Sequence, residues 1–158
     1  MKVGVLSRVA HPLHGYGGLE RHVGAMVRHL AAKGVEVSLY PSPPAEEDGG
    51  IRGVEVVVVP YRTLPWPRRA GFVILDRNTN YLLWNLGAGR AVRTRGSDIV
   101  HAEAGAGFGY AWRRRLGDAP LVLQAQGMEE FKTGRLKRLA YVPLRLASRY
   151  AARRADRV

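Results

Sequence analysis

Two places in this chain hold residues whose type and spacing could do chemistry. Gly17 and Gly18 stand side by side, after the apolar run Lys2 to Ser7 (KVGVLS) and before an amphipathic stretch that begins at Leu19. Glycines at a helix start leave several main-chain N–H groups unpaired, with partial positive charge and no side chain in the way. Such a place suits a phosphate or a polar sugar ring. The alternative is a tight turn without a guest, because a short glycine motif is a weak signal. The second place is the end of the run Ile99 to Ala102, where His101 and Glu103 stand. A histidine there is either a catalyst or a structural hydrogen-bonding group.

Other site patterns fail on spacing. A dinucleotide fingerprint needs G-x-G-x-x-G and an acid at the end of the second strand. From Gly15 the third glycine falls on Glu20, and the second apolar run ends in Leu39 and Tyr40. No Gly-Lys-Ser/Thr run exists for a phosphate-binding loop of the other common kind. His11 and His14 lie in the first loop and His22 and His29 lie round the helix, with no cysteine beside them. No metal site is expected from that set.

The elements that must hold these residues follow from periodicity. Leu19, Val23, Met26, Val27, Leu30 and Ala31 form one apolar stripe at helical spacing, and Gly34 stands where a left-handed helix end is usual. Lys2 to Ser7 reads as a buried parallel strand and Val35 to Tyr40 as the next one, so the opening is a β-α-β unit. Pro41 to Gly50 reads as a surface loop. Ile51 to Pro60 holds the β-branched run VEVVVV, read as a strand. Tyr61 to Phe72 is irregular because of Pro65 and Pro67, and places Trp66 beside Arg62, Arg68 and Arg69. Asn78 or Thr79 can cap a helix running to about Thr94, weakened by Gly87 and Gly89 and ended by Gly96. After the strand at Ile99 to Ala102 a second glycine-rich turn, AGAGFG, leads into a helix, repeating the arrangement of the first. Leu121 to Gln124 is the next strand. Gly134 to Val158 is a basic amphipathic stretch in which Pro143 begins or kinks a helix. Strand and helix alternate throughout, which predicts an α/β domain with a Rossmann-like parallel sheet and helices on both faces.

Composition bounds the function. At 158 residues the chain is one domain with room for a core. It has no cysteine, which suits a reducing compartment. No apolar run reaches the ~20 residues needed to span a bilayer, and the N-terminus carries no signal-peptide pattern. These features predict a cytoplasmic protein. The net charge of +12, mostly from arginine, points to an anionic partner. A phosphorylated substrate, an anionic membrane surface, nucleic acid and an acidic neighbouring domain all fit. An arginine-rich genome bias is the alternative. Nucleic acid is disfavoured, because no recognition helix or stacking sheet motif appears.

The longer pattern is more specific than its glycines. A leading strand, then GGLERHV (Gly17 to Val23), then a helix ending in KGVEVSLY resembles the opening of retaining GT-B glycosyltransferases of family 4. Asp98, Ile99, Val100 and His101 are similar to that family's D-[IV]-[VI]-H-x-H segment, with Glu103 in place of the second histidine. Ala125 to Phe131 (AQGMEEF) resembles its T-x-H-G-x-E segment, with Gln126 at the histidine position followed by Gly127 and Glu129. The final ADRV resembles the family's passage from helix to strand that leads to a second domain.

The resemblance implies one half of a GT-B fold, the acceptor-side domain. It implies transfer of a sugar from a nucleotide sugar with retention at the anomeric carbon and no metal. Gly17 and Gly18 would face the donor diphosphate. His101 and Gln126 would be the catalytic positions. Glu20, Arg21, Glu103, Gly127 and Glu129 would bind substrate. Gln126 hydrogen-bonds but cannot titrate, so its role would be to orient sugar. No segment resembles the second domain, which carries most of the nucleotide-sugar pocket. The chain is therefore expected to be an excised piece or one part of a split enzyme, with little transfer on its own. A scaffold module of the same fold that has lost chemistry is an alternative, as is a basic nucleic-acid binder. The acceptor is expected to be lipid-linked or anionic, with the arginine-rich surface peripheral on the inner face of a membrane.

Overall fold

The computed structural model describes residues 1–44, 50–60, 70–125 and 141–158. Gln126, Gly127, Glu129, Trp66 and the first part of the C-terminal basic stretch lie outside them. Five parallel strands form one sheet: β1 (Lys2–Leu6), β2 (Glu36–Tyr40), β3 (Val54–Val56), β4 (Ile99–Glu103) and β5 (Leu121–Gln124). Their spatial order is β3-β2-β1-β4-β5. The chain thus winds outward from β1 in one direction, returns, and winds outward from β4 in the other. Between β1 and β4 the winding reverses, and at the carboxyl ends of those two strands an open α/β sheet leaves a crevice.

Helices cover both faces, as right-handed crossovers require. Helix α1 (Gly18–Ala32) packs Val23 and Val27 on Val3, Val5, Val37 and Leu39. Each such buried valine contributes about 1.5–3 kcal/mol. The expected stripe is present, with Leu19, Met26, Leu30 and Ala31 at its margin. Gly34 ends the helix with φ +78, and its N–H donates to the Ala31 carbonyl. On the other face lie α2 (Ala70–Arg95), a 3-10 turn (Ala104–Gly107), α3 (Phe108–Arg113) and α4 (Val142–Arg154). Trp84, Ala88 and Val92 of α2, Tyr110 of α3 and Ala151 of α4 pack there on Leu6, Val100, Ala102, Leu121 and Leu123.

Three elements differ from the sequence reading. Helix α2 starts at Ala70, ahead of the expected caps, so Asn78 and Asn80 are interior and buried. Asn80 donates to Asp76 one turn earlier, which accommodates an amide within a helix. Strand β3 is three residues long, although Val57 and Val59 still donate to the carbonyls of Leu39 and Pro41. Pro41 has no N–H to return, and the ladder ends there. The second glycine turn does not repeat the first. It is filled from within: Asn85 of α2 donates to the Gly105 carbonyl at 3.1 Å and accepts from Gly109 N–H at 3.4 Å. Pro143, as expected, opens α4.

The ADRV segment has a structural use. Asp156 accepts from Leu121 N–H at 2.8 Å and from Arg114, joining the end of α4 to the start of β5. Val122 then forms a parallel bridge with Arg157.

Candidate active site at the switch between strands β1 and β4

The loop between β1 and α1 is held by its own polar groups. Ala10 N–H donates to His14 Nδ1 at 3.3 Å. That nitrogen accepts, so Nε2 carries the hydrogen and donates to the Ser42 carbonyl at 3.0 Å. Ser42 returns the contact by donating its N–H and its hydroxyl to the Arg8 carbonyl. His11 N–H donates to the Glu20 carbonyl at 2.9 Å and clamps the loop against α1. The loop ends with Gly17 at the N-cap of α1, in extended conformation and with no side-chain cap bond.

Gly17 and Gly18 are exposed, at the carboxyl rim of the sheet beside the winding reversal. Their surroundings differ. A Cβ on Gly18 would meet nothing within 4 Å, whereas one on Gly17 would run into Glu20 Oε2. The open approach is therefore at Gly18, and a carboxylate flanks it. Arg21 makes no ion pair within α1 among the described contacts. Its guanidinium lies 5.1 Å over the ring of exposed Tyr16, and the His11 ring meets that tyrosine edge-on at 4.9 Å.

Strand β4 lies beside β1 and places two polar residues under α1. His101 is in register with Val5, so it points to the face covered by α1, and Glu103 two residues on shares that face. The carboxylate is 2% exposed. His101 Nε2 lies 3.0 Å from Glu103 Oε1, and His22 Nε2 of α1 lies 3.6 Å from the same oxygen. Glu103 Oε2 and His22 Nε2 are both buried without a hydrogen-bond partner among the described residues.

The structure thus brings Gly17 and Glu20 together at the start of α1, sets Arg21 over Tyr16, and joins His101 and Glu103 on β4 to α1 through His22. Sequence reasoning weighed His22 only as a metal ligand and gave it no other role. Its place between Arg21 and the buried Val23, one turn after Gly18, was the available signal that it borders the sheet. Among the described residues no cluster of His, Cys, Asp and Glu can hold a metal ion, and no helix is long and apolar enough to cross a membrane.

Residues 16–158 match the family described as Glycosyltransferase Family 4. The chain belongs to that family. Two solved structures share its fold. One is sucrose-phosphate synthase from Thermosynechococcus elongatus, with a TM-score of 0.66 and 14% identity over 98% of this chain and 41% of that one. The other is CalG4, the calicheamicin glycosyltransferase, with a TM-score of 0.53 and 18% identity over 94% of this chain and 42% of that one. This chain therefore spans about two-fifths of the length of each. Its sheet is the Rossmann-like unit of a GT-B glycosyltransferase. No curated protein sequence is similar enough to the chain to count as a match.

The arginines expected to meet an anionic partner are partly committed elsewhere. Arg93 pairs with Asp118, Arg95 with Glu55 and Arg114 with Asp156. Arg113, Arg115, Arg149, Arg153 and Arg154 remain on the surface.

Proposed function

We propose that this chain is the acceptor-side domain of a glycosyltransferase that moves a sugar from a nucleotide sugar with retention at the anomeric carbon. The observation that carries the proposal is the open N-terminus of α1 at Gly18, set at the winding reversal, where β4 with His101 and Glu103 is the strand beside β1. In the transfer the anomeric C–O bond breaks and the diphosphate leaves with the electron pair. The acceptor oxygen bonds to the same carbon on the same face and gives up its proton. Negative charge grows on the leaving diphosphate. The first-turn N–H groups of α1 and its helix dipole are aimed where that charge develops, and they need no reorganisation.

The donor sits mainly on a second lobe, and this domain supplies the amides and the acceptor wall. Alone it transfers little or nothing. The basic surface of α4 favours an anionic or lipid-linked acceptor at an inner membrane surface. Gln126, Gly127 and Glu129 are the further substrate-contacting positions that the family resemblance implies. No metal is required, since main-chain amides do the work of a cation at the leaving group.

The test is proton NMR of the product formed from a panel of UDP- and GDP-α-hexoses by the polypeptide that carries this domain together with a second lobe. An α-linked product formed in the presence of a chelator is expected. A β-linked product would contradict retention, and activity abolished by the chelator would contradict metal independence.

A further inference from the structure

Helices α3 and α4 meet in a cluster of aromatic rings. The Trp112 and Tyr150 rings lie 5.7 Å apart, and Phe108 lies 6.1 Å from the first and 5.9 Å from the second. Phe108 and Tyr150 rest on the core, which fixes the cluster, yet Trp112 itself is 61% exposed. Leu146, one helical turn before Tyr150, is also exposed, and Leu116 in the turn after α3 is fully so. Large apolar side chains exposed singly are ordinary, but these are neighbours on one flank. The Arg114 guanidinium donates to the Arg154 carbonyl at 3.2 Å and holds the ends of the two helices together.

The same flank is cationic. Neither α3 nor α4 contains an acid. Arg113, Arg149 and Arg153 are exposed and make no ion pair among the described residues. The acids beyond the helix ends, Asp118 and Asp156, are taken by Arg93 and Arg114. Arg154 lies over the Tyr150 ring at 5.8 Å. A second copy of the chain would bring arginine against arginine here. A bilayer interface takes both kinds of group: indole and leucine side chains enter the headgroup layer while arginines meet phosphates.

We propose that this flank docks on an anionic lipid surface, with Trp112, Leu116 and Leu146 in the headgroup layer and Arg113, Arg149 and Arg153 against lipid phosphates. Docking here rests on the membrane part of the reading above and is independent of the transfer chemistry. Because α3 runs from the carboxyl end of β4 back to the amino end of β5, Leu116 lies at the rim opposite Gly18. The flank therefore rests on lipid while the crevice stays open.

The test is cosedimentation of the chain with phosphatidylglycerol–phosphatidylcholine vesicles and with pure phosphatidylcholine vesicles, at low and high salt. Binding to the anionic vesicles alone is expected, weakening with salt. Trp112→Ala should weaken it about tenfold, and Arg113→Gln or Arg153→Gln about fivefold each. Leu116→Glu should weaken it too, and since that side chain is fully exposed the change spares the fold. Bromine-labelled lipids should quench tryptophan emission, and less so in Trp112→Phe. Equal binding to both vesicle types would overturn the charge matching. Binding that ignores both Trp112→Ala and Leu116→Glu would overturn this flank and leave the membrane reading standing. No binding at low salt would overturn the flank and the membrane reading together, and leave the transfer reading to its own test. A concentration-dependent dimer without vesicles, abolished by Trp112→Ala, would assign the flank to a second copy instead.

Discussion

His14 Nε2 lies 3.0 Å from the Ser42 carbonyl oxygen, and that bond ties the loop ending in Gly17 and Gly18 to the segment just past β2. The same ring accepts from Ala10 N–H. Replacing His14 with alanine strands both groups in a partly buried place. The expected cost is about 1–3 kcal/mol, seen as a lower urea midpoint with an unchanged slope. The Gly18 amide should also broaden in NMR spectra as the loop loosens. A midpoint equal to wild type would show that the loop is held by other contacts.

Gly18 and Gly109 should respond in opposite ways to alanine. A Cβ on Gly18 enters open space, so Gly18→Ala leaves stability within a few tenths of a kcal/mol. A Cβ on Gly109 runs into the Asn85 carbonyl of α2, where the two helices touch backbone to backbone. Alanine's helix propensity favours the change by about 1 kcal/mol, and overpacking opposes it by about 1–3 kcal/mol or more. Against main-chain atoms the clash wins, and Gly109→Ala should lower the thermal midpoint. A midpoint above wild type would contradict the close crossing.

Glu20 competes with any anion at the helix start, because its carboxylate lies against Gly17. Glu20→Gln removes the charge and keeps the shape. Inorganic phosphate should then bind about two- to fivefold more tightly, the size of one charge at a helix terminus. Weaker binding by calorimetry would mean that Glu20 supports the anion through an intermediary.

Acid should loosen the two edges of the sheet first, at β3 and at β5. The Arg115 N–H and the Arg93 guanidinium hold Asp118 below its ordinary value of 3.8, and Arg114 with Leu121 N–H does the same for Asp156. The Ser38 hydroxyl, with Arg95, holds Glu55 below 4.5. Each folded value lies under the unfolded one. The stabilisation is therefore complete above the unfolded values and is lost as pH falls below about 4. All three carboxylates are partly exposed, so salt should shrink the effect. At the alkaline end, burial raises Tyr40 and Tyr110 above 10.0, and stability should fall as pH rises past that value. Urea midpoints measured across pH check both limbs, and a flat acid limb would contradict the ion pairs.

The opening unit could be read from the chain because two signals agreed: a helical stripe from Leu19 to Ala31 between two β-branched runs, and a glycine at each end of the helix. The end of β4 could be read for the same reason, since a short apolar run bounded by Gly96 and a glycine turn fits little else. The early start of α2 could not. Pro65 and Pro67 suggested irregular backbone up to Phe72, and Asn78 looked like a cap until tertiary packing buried it. The second glycine turn misled, because its likeness to the first is local and only Asn85, some twenty residues earlier, shows that it is filled. His22 escaped because a helix position gains its meaning from what lies opposite. Nothing local says that Glu103, eighty residues on, reaches it.

The central claim is that bare amides at the start of α1 receive a diphosphate. Titration of the chain with inorganic pyrophosphate, followed by amide shifts in wild type and Gly18→Val, tests it most directly. The account predicts that Gly18, Leu19 and Glu20 move most in wild type, and that valine, which has room to fit without strain, weakens binding at least tenfold. Shifts centred on the surface arginines of α3 and α4, or a Gly18→Val that binds as well as wild type, would contradict it.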